Sequence, residues 1–223
     1  MNSTRARLDR GAHPTMRAAI VETIRNEILG GHLKPGTRIG LKSVAFECGV
    51  AVSVLREALC QLAADGLVIA EEQRGFWVAP VSMTDLRDLV HRRKEVETAA
   101  LRLAIEHGDS EWESQIVAAL HKLSRAPRFT AEWITQHRIY HDALVAACGS
   151  QWLLRFHGML HESSERYRQL AGLSISHKAD IDGEHAALAD ATINRDADLA
   201  CRLMTVHVGE MEDILLRTGL AQE

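Results

Sequence analysis

Long apolar runs and paired cysteines are both missing from this chain of 223 residues. The longest stretch without an acidic or basic residue, residues 143–154, has 12 residues and is too short to span a bilayer. The four cysteines lie far apart with no CxxC pair, so neither a disulfide framework nor a thiolate zinc site is expected. Residues 1–17 are polar and basic and lack the apolar centre of a signal peptide. We therefore expect a cytoplasmic protein with no membrane partner.

Charge is distributed unevenly along the chain. Hydrophobic residues make up 46% and charged residues 25%, the ordinary balance of a soluble globular protein. Residues 1–80 carry 10 Lys+Arg against 8 Asp+Glu, whereas residues 81–223 carry 16 against 22. Three of the four prolines fall in the first part. These shifts predict a small domain over residues 1–80, which includes a short flexible N-terminal tail, and a larger domain over residues 81–223.

The first 80 residues contain three helical patterns followed by two strand patterns. Apolar spacing predicts helices over residues 16–28, 41–47 and 52–64, each stopped by glycine. Residues 67–70 and 76–78 are β-prone and flank a turn, which predicts a hairpin. This order is typical of a winged helix-turn-helix, in which the second helix of the pair enters the major groove of DNA.

The predicted recognition helix carries one arginine on its outer side. Val52, Ser53 and Arg56 are expected to point away from the apolar side of that helix. Arg56 can chelate the O6 and N7 atoms of guanine or hold a phosphate. A solvated surface arginine is the alternative, and the residue pattern leaves both interpretations open.

The second part of the chain shows helical patterns and no strand pattern. Capping residues predict six helices, over residues 82–107, 110–125, 130–148 and 150–172, from Ser174 or Ser176 to 194, and over 196–217. Short connections between them predict an antiparallel six-helix bundle. The whole chain is therefore expected to be mainly α.

Histidines recur inside this predicted bundle. His137 and His141 lie four residues apart on one helix face, and His185 and His207 lie on the last two helices. Such a pair suits a divalent metal, because both imidazoles project the same way and bind as neutral donors. Histidines satisfied by ordinary neighbours are the alternative. We attribute a further pair of this spacing, His157 and His161, to chance.

Three arginine positions of the bundle need an explanation. Arg93 falls on an apolar stripe of its helix, and Glu97 four residues on is the simplest partner. The other interpretation is that the Arg93 guanidinium makes a bidentate pair with a carboxylate of a bound effector. Arg166 and Arg168 are expected to form a solvated face with neighbouring glutamates.

Trp112 and Trp133 lie on the second and third helices of the predicted bundle and are expected to pack in the core or as a lid.

The N-terminal part resembles the DNA-binding domain of GntR-family bacterial regulators. The resemblance rests on Leu-Lys-Pro-Gly at 33–36, VAVSVLREAL at 50–59, LAADGLV at 62–68 and RGFWV at 74–78. It implies that the DNA contacts come from Lys42, Val52, Ser53, Arg56, Arg74 and Gly75. Ala51 replaces the usual serine N-cap, a loss of about 1 kcal/mol, and Val52 replaces an arginine that reaches DNA in relatives. An apolar Val52 would contact a thymine methyl instead.

The C-terminal part resembles the FCD domain of the FadR subfamily, in its VanR-like six-helix form. Arg93-x-x-Val96-Glu97, Tyr140-His141-Asp142-Ala143-Leu144, Glu184-His185 and His207 carry this resemblance. It implies a Zn²⁺ or Ni²⁺ site at His137, His141, His185 and His207, with His137 at a position that is aspartate in relatives. Without a charged ligand, this set would bind metal more weakly or serve the effector directly. The resemblance also implies an effector pocket that includes Arg93, Glu97 and Arg138.

Residues 141–154 and 164–168 resemble the carbon-starvation (CsiR) type of regulator, which responds to glutarate. We therefore expect a repressor that binds a palindromic double-stranded operator as a homodimer and is released by a small carboxylate. A metalloenzyme is a poorer explanation, because no HExxH or paired Glu-x-x-His pattern is present. A dedicated metal sensor is the remaining alternative.

Overall fold

The chain divides between Ser82 and Met83 into two compact units. The computed structural model describes residues 15–128, 130–170 and 181–218. The predicted N-terminal tail, the predicted helix end at Gly172 and the predicted helix start at Ser174 or Ser176 lie outside these residues.

The first unit is the winged helix-turn-helix that the sequence predicts. Three helices precede and flank a small antiparallel sheet with the strand order β1-β3-β2. The elements are α1 (Met16–Leu29), β1 (Arg38–Ile39), α2 (Leu41–Cys48), α3 (Val52–Ala64), β2 (Val68–Glu71) and β3 (Gly75–Val78). Strand β1 was not predicted, because two residues are too few to show an alternating pattern. It pairs Arg38 with Trp77 and Ile39 with Phe76.

Glycine and an unusual cap shape the turn before α3. Gly49 ends α2 at φ 65°, a left-handed conformation that costs glycine little. Ala51 occupies the N-cap of α3 and makes no side-chain hydrogen bond to the helix, as its methyl group dictates. Leu55, Leu59 and Leu62 are fully buried, so α3 is held by its apolar face.

The second unit is the predicted six-helix bundle, and its described residues contain no strand. The helices are α4 (Met83–His107), α5 (Ser110–Arg125), α6 (Ala131–Val145), α7 (Gln151–Leu170), α8 (Ile181–Ile193) and α9 (Ala197–Thr218). A 3-10 turn, Ala146–Cys148, follows α6. Helix α4 is central, since it packs against α6, α7 and α9. Among the described helices, none is long and apolar enough to cross a bilayer.

Polar caps set most helix starts in this unit. Thr130 accepts a hydrogen bond from the Trp133 amide, and the Asp196 carboxylate accepts one from the Leu199 amide. The prediction that Ser110 caps α5 was wrong. Asp109 is the N-cap and accepts from the Trp112 amide at 2.9 Å, so the helix begins one residue earlier than a Ser110 cap would place it.

Candidate functional site

The outer face of α3 presents the residues that the sequence assigned to DNA. Val52, Ser53 and Arg56 are exposed there, opposite the buried leucines. The Arg56 guanidinium lies 5.9 Å from the centre of the Phe76 ring on β3, so its position is partly set by the wing. A helix held by one apolar face and free on the other can enter a major groove.

The remaining predicted DNA residues lie on α2 and at the turn of the wing. Lys42 is exposed on α2, and Arg74 is exposed beside Gly75, where the backbone has φ 113°. The Arg74 guanidinium lies 3.0 Å from the Glu71 carboxylate, a surface pair that is easily exchanged for a phosphate. None of these positions is blocked by the fold of this unit.

Sequence reasoning missed Arg38 as a wing residue. Its guanidinium donates to the Arg74 carbonyl oxygen at 2.9 Å and lies 5.6 Å from the centre of the Trp77 ring. Arg38 therefore adds a positive charge beside Arg74. The position of Arg38 follows from the pairing of β1 with β3, and the segment after the Pro-Gly turn offered only a weak β-prone signal.

Four predicted imidazoles converge inside the second unit. His137 and His141 come from α6, His185 from α8 and His207 from α9, and one ligand atom from each lies within 4.8 Å of the others. The Tyr140 hydroxyl donates to the His185 carbonyl oxygen at 2.8 Å and ties α8 to α6.

Aromatic stacking and a carboxylate orient individual members of this histidine cluster. The Trp133 ring stacks on His137 with centroids 4.7 Å apart. Trp133 and Trp112 are both buried, as the sequence predicts. The His207 Nδ1 atom lies 3.3 Å from a Glu184 carboxylate oxygen, an arrangement that directs its Nε2 atom into the cluster.

The nitrogen geometry of the cluster suits a divalent ion. The Nε2 atoms of His141 and His207 lie 3.2 Å apart. Two nitrogens bound to one ion at about 2.1 Å would lie about 3.0–3.4 Å apart, depending on the coordination angle. The Nε2 atom of His137 is buried without a hydrogen bond. Buried polar atoms of this kind are uncommon unless a ligand satisfies them.

Burial favours the neutral form of His137, His141 and His207. It lowers the pKa of His137 and His141 well below the ordinary value; Arg168 and neighbouring histidines lower the pKa of His137 further, and neighbouring histidines lower that of His141. Burial also lowers the pKa of His207, although Glu184 opposes the effect. Neutral imidazoles are the form that binds metal, so the four residues fit a metal with nitrogen preference.

Arg93 lies on the inner side of α4, beside the cluster. Its side chain is 2% exposed and its guanidinium contacts a Glu97 oxygen at 2.6 Å. A further donor bonds the Ser164 hydroxyl at 2.6 Å, and another lies 3.4 Å from His161 Nδ1. The second Glu97 oxygen lies 3.8 Å from His141 Nδ1. Glu97 thus links Arg93 to the histidine cluster.

Arg138 lies outside this buried network. Its side chain is 48% exposed and faces Asp142 at 3.7 Å. Asp142 also lies 3.0 Å from His157 Nε2. The structure therefore brings Arg93 and Glu97 together and leaves the third predicted effector residue at the surface of α6.

The expectation for α7 was wrong. Arg166 is buried and the Arg168 side chain is only 13% exposed, so neither belongs to a solvated face. His157 and His161, whose spacing we had attributed to chance, are also buried. The inner side of α7 is polar and packs against α4, so a search for apolar periodicity could not identify it as an interior face.

Arg168 reaches the histidine cluster from α7. Its Nη1 atom donates to a Glu165 oxygen at 2.6 Å and lies 3.1 Å from the Nδ1 atom of His137. His137, His161 and Glu165 form a second group whose ligand atoms lie within 4.8 Å of one another. The sequence pattern placed Arg168 on a solvated face, and the presence of three ionisable residues at 161, 165 and 168 was the available signal.

A winged helix with an outward basic face, together with a helical unit that buries a cluster of histidine, arginine and glutamate side chains, defines a class of protein: the transcriptional regulators with a C-terminal helical domain. Residues 16–78 match the family described as "Bacterial regulatory proteins, gntR family", and residues 88–210 match the FCD domain. The chain belongs to the GntR family and carries an FCD domain. It is a transcription regulator and not an enzyme.

Two curated relatives cover most of the chain. It is 34% identical over 210 residues to "Uncharacterized HTH-type transcriptional regulator BphR" of Paraburkholderia xenovorans, which covers 91% of this chain and 86% of that protein. It is 32% identical over 195 residues to "HTH-type transcriptional repressor GlaR" of Escherichia coli, which covers 83% and 89%.

Solved structures of the family share the fold. Escherichia coli McbR/YncC matches with a TM-score of 0.74 at 20% identity, over 92% of this chain and 99% of that one. A GntR regulator from Rhodococcus sp. RHA1 matches with a TM-score of 0.72 at 20% identity, over 90% and 97%.

Proposed function

We propose that this protein is a repressor that binds a palindromic operator as a homodimer and leaves it when a small carboxylate binds in the second unit beside a divalent metal. The observation that carries the proposal is the buried meeting of four histidines with the Arg93–Glu97 pair. The name of the relative GlaR, a transcriptional repressor, supports the direction of control. Such a regulator would act on the chromosome in the bacterial cytoplasm.

The DNA contacts proposed for the first unit come from two surfaces. Val52, Ser53 and Arg56 would face base edges, while Lys42, Arg74 and Gly75 would lie against the phosphate backbone. Val52 is 39% exposed and carries no hydrogen-bonding group, which suits a thymine methyl. The operator sequence would therefore differ from that of relatives with arginine at this position.

Zn²⁺ or Ni²⁺ is the metal proposed for His137, His141, His185 and His207. Four neutral nitrogen donors favour these ions over Mg²⁺ or Ca²⁺, which prefer oxygen. When bound, the ion would supply a positive charge that attracts a carboxylate oxygen. Glu184 and Glu97 would hold the outer nitrogens of His207 and His141.

A carboxylate effector is proposed because buried guanidinium groups lie beside the histidine cluster. Arg93 is within reach of the cluster, and planar donors bind carboxylates in a fixed orientation. Arg138 would contribute from the surface of α6. A dicarboxylate such as glutarate would contact the metal with one end and an arginine with the other.

The outer face of α7 is the surface proposed for the homodimer. Trp152, Phe156 and Met159 are 65%, 44% and 44% exposed and follow one another at helical spacing. Arg155 stacks over Trp152 at 5.6 Å and borders this apolar stripe. A palindromic operator requires two copies related by a two-fold axis, and a self-complementary helix face of this kind meets that need.

A dedicated metal sensor is the second candidate. The existing hydrogen bonds of Arg93 favour it. Glu97 and Ser164 already occupy donors of Arg93, so a carboxylate would have to displace one of them. At His141 and His207 a metal would have to replace only the hydrogen bond between their two Nε2 atoms.

One experiment separates the two candidates. Footprinting of the promoter beside the protein's own gene would define the operator. Gel shifts would then be run with metal-stripped protein, with Zn²⁺ or Ni²⁺ alone, with glutarate alone, and with both. Release by metal alone identifies a sensor, whereas release that needs the carboxylate supports the repressor proposed above. Protection of no DNA would contradict both.

A further inference from the structure

The contact between Arg168 and His137 has a consequence for metal binding. An arginine side chain only donates hydrogen bonds, so the His137 Nδ1 atom at 3.1 Å must accept. A neutral imidazole with an accepting Nδ1 carries its proton on Nε2. Neither nitrogen of His137 is then available to a metal.

Both possible ways of binding metal through His137 conflict with this contact. If Nδ1 binds the ion, Arg168 must leave that atom. If Nε2 binds it, the proton moves to Nδ1, and two donors then face each other at 3.1 Å. The side chains involved are 1% and 13% exposed, so water cannot screen the repulsion effectively.

We propose that Arg168 is a regulatory residue that keeps His137 from the metal until a carboxylate ligand draws its guanidinium away. This inference rests on the proposed function and specifies how its two ligands are coupled. Glu165, at 2.6 Å, is the carboxylate that Arg168 uses in the described structure. An incoming carboxylate would compete for the same guanidinium, and His137 would then complete the metal site with the three other histidines.

The coupling is reciprocal. A carboxylate that frees His137 raises the affinity for metal, and by linkage the metal raises the affinity for the carboxylate by the same factor. A chain with aspartate in place of His137 would lack this switch in its present form. A carboxylate has two oxygens and can pair with Arg168 through one of them, whereas the imidazole offers Arg168 a single acceptor nitrogen. The switch therefore belongs to the histidine at this position.

Calorimetric titration of the chelator-stripped full chain with Ni²⁺, with and without glutarate, tests the proposal. Wild-type protein is expected to bind Ni²⁺ about tenfold more tightly with glutarate present, a typical size for such coupling. Arg168→Gln is expected to bind Ni²⁺ about tenfold more tightly than wild type without glutarate, and to gain less than about twofold from it. Arg92→Gln removes the same charge from the exposed side of α4 and is expected to behave as wild type.

A second variant controls for misfolding of the first. Arg168→Gln leaves Glu165 buried without its arginine, so Arg168→Gln/Glu165→Gln removes both charges and should give the same titrations. Glutarate could change the Ni²⁺ affinity equally in wild type and in the Arg168 variants, or it could change it in none of them. Either result means that Arg168 does not couple the two ligands, and the inference is overturned while the metal site stands. If no variant binds Ni²⁺ under any condition, the proposed metal site fails, and the inference fails with it.

Discussion

Replacing Arg93 with alanine should destabilise the second unit strongly. The substitution leaves the Glu97 carboxylate, which is fully buried, without the guanidinium that lies 2.6 Å away. Breaking a buried pair by removing one partner costs about 3–5 kcal/mol. The Ser164 hydroxyl also loses its bond to Arg93, worth about 1 kcal/mol. We expect a loss of about 5 kcal/mol and, at about 2–4 °C per kcal/mol, a fall of about 10–20 °C in melting temperature.

A double variant separates stability from effector binding. Arg93→Met/Glu97→Leu removes both charges and keeps similar volume, so most of the lost stability should return. If Arg93 anchors the carboxylate, this double variant should fold and bind the operator but should no longer be released by glutarate. Circular dichroism melts and gel shifts with increasing glutarate measure the two properties separately.

Two results would refute this reasoning. A melting temperature of Arg93→Ala within about 2 °C of wild type would mean that the pair contributes far less than a buried ion pair should. Full release of the double variant by glutarate would mean that Arg93 is structural, as its bond to Glu97 alone suggests, and that another residue anchors the effector.

Further predictions concern DNA, metal and assembly. Arg56→Ala should weaken operator binding by about 1–3 kcal/mol in gel shifts at fixed salt, and an unchanged affinity would remove Arg56 from the base contacts. Untagged protein should contain about one divalent ion per chain by elemental analysis and should melt at a lower temperature after chelation. His141→Ala should abolish both the bound ion and the effect of chelation. If the variant still contains the ion, the metal binds elsewhere. Trp152→Glu should convert the proposed dimer to a monomer in light scattering. Val117→Glu, at an exposed apolar position of α5, should leave the dimer intact. If the Trp152→Glu variant is still a dimer, the α7 face is not the interface.

Local sequence patterns predicted the helices well because their causes lie within a few residues. The run from Val52 to Ala64 alternates apolar and polar positions at helical spacing, and the structure has the same bounds. Thr130 and Asp196 cap the helices that follow them, since a side chain three residues before an amide can reach it directly. The error at Ser110 is equally local, because the adjacent residues Asp109 and Ser110 are both good N-caps.

The polar interior of the bundle was harder to predict. Arg166 and Arg168 resemble surface residues in sequence, since charged side chains are seldom buried. They are buried because α7 packs a polar side against α4, where Arg93 and Glu97 already lie. Hydrophobic patterning carries no information about such a face, because the groups that satisfy each charge come from other helices.

The sequence by itself determined the elements of this protein: the winged helix-turn-helix, the six helices, and the pair His137 and His141 on one helix face. Only the tertiary structure decided which distant groups meet there. His207 lies 3.2 Å from His141 and Arg168 lies 3.1 Å from His137, although 66 and 31 residues separate these pairs along the chain. Helix periodicity and capping act over three or four residues, whereas the convergence of side chains from α6, α7 and α9 depends on how the whole bundle packs.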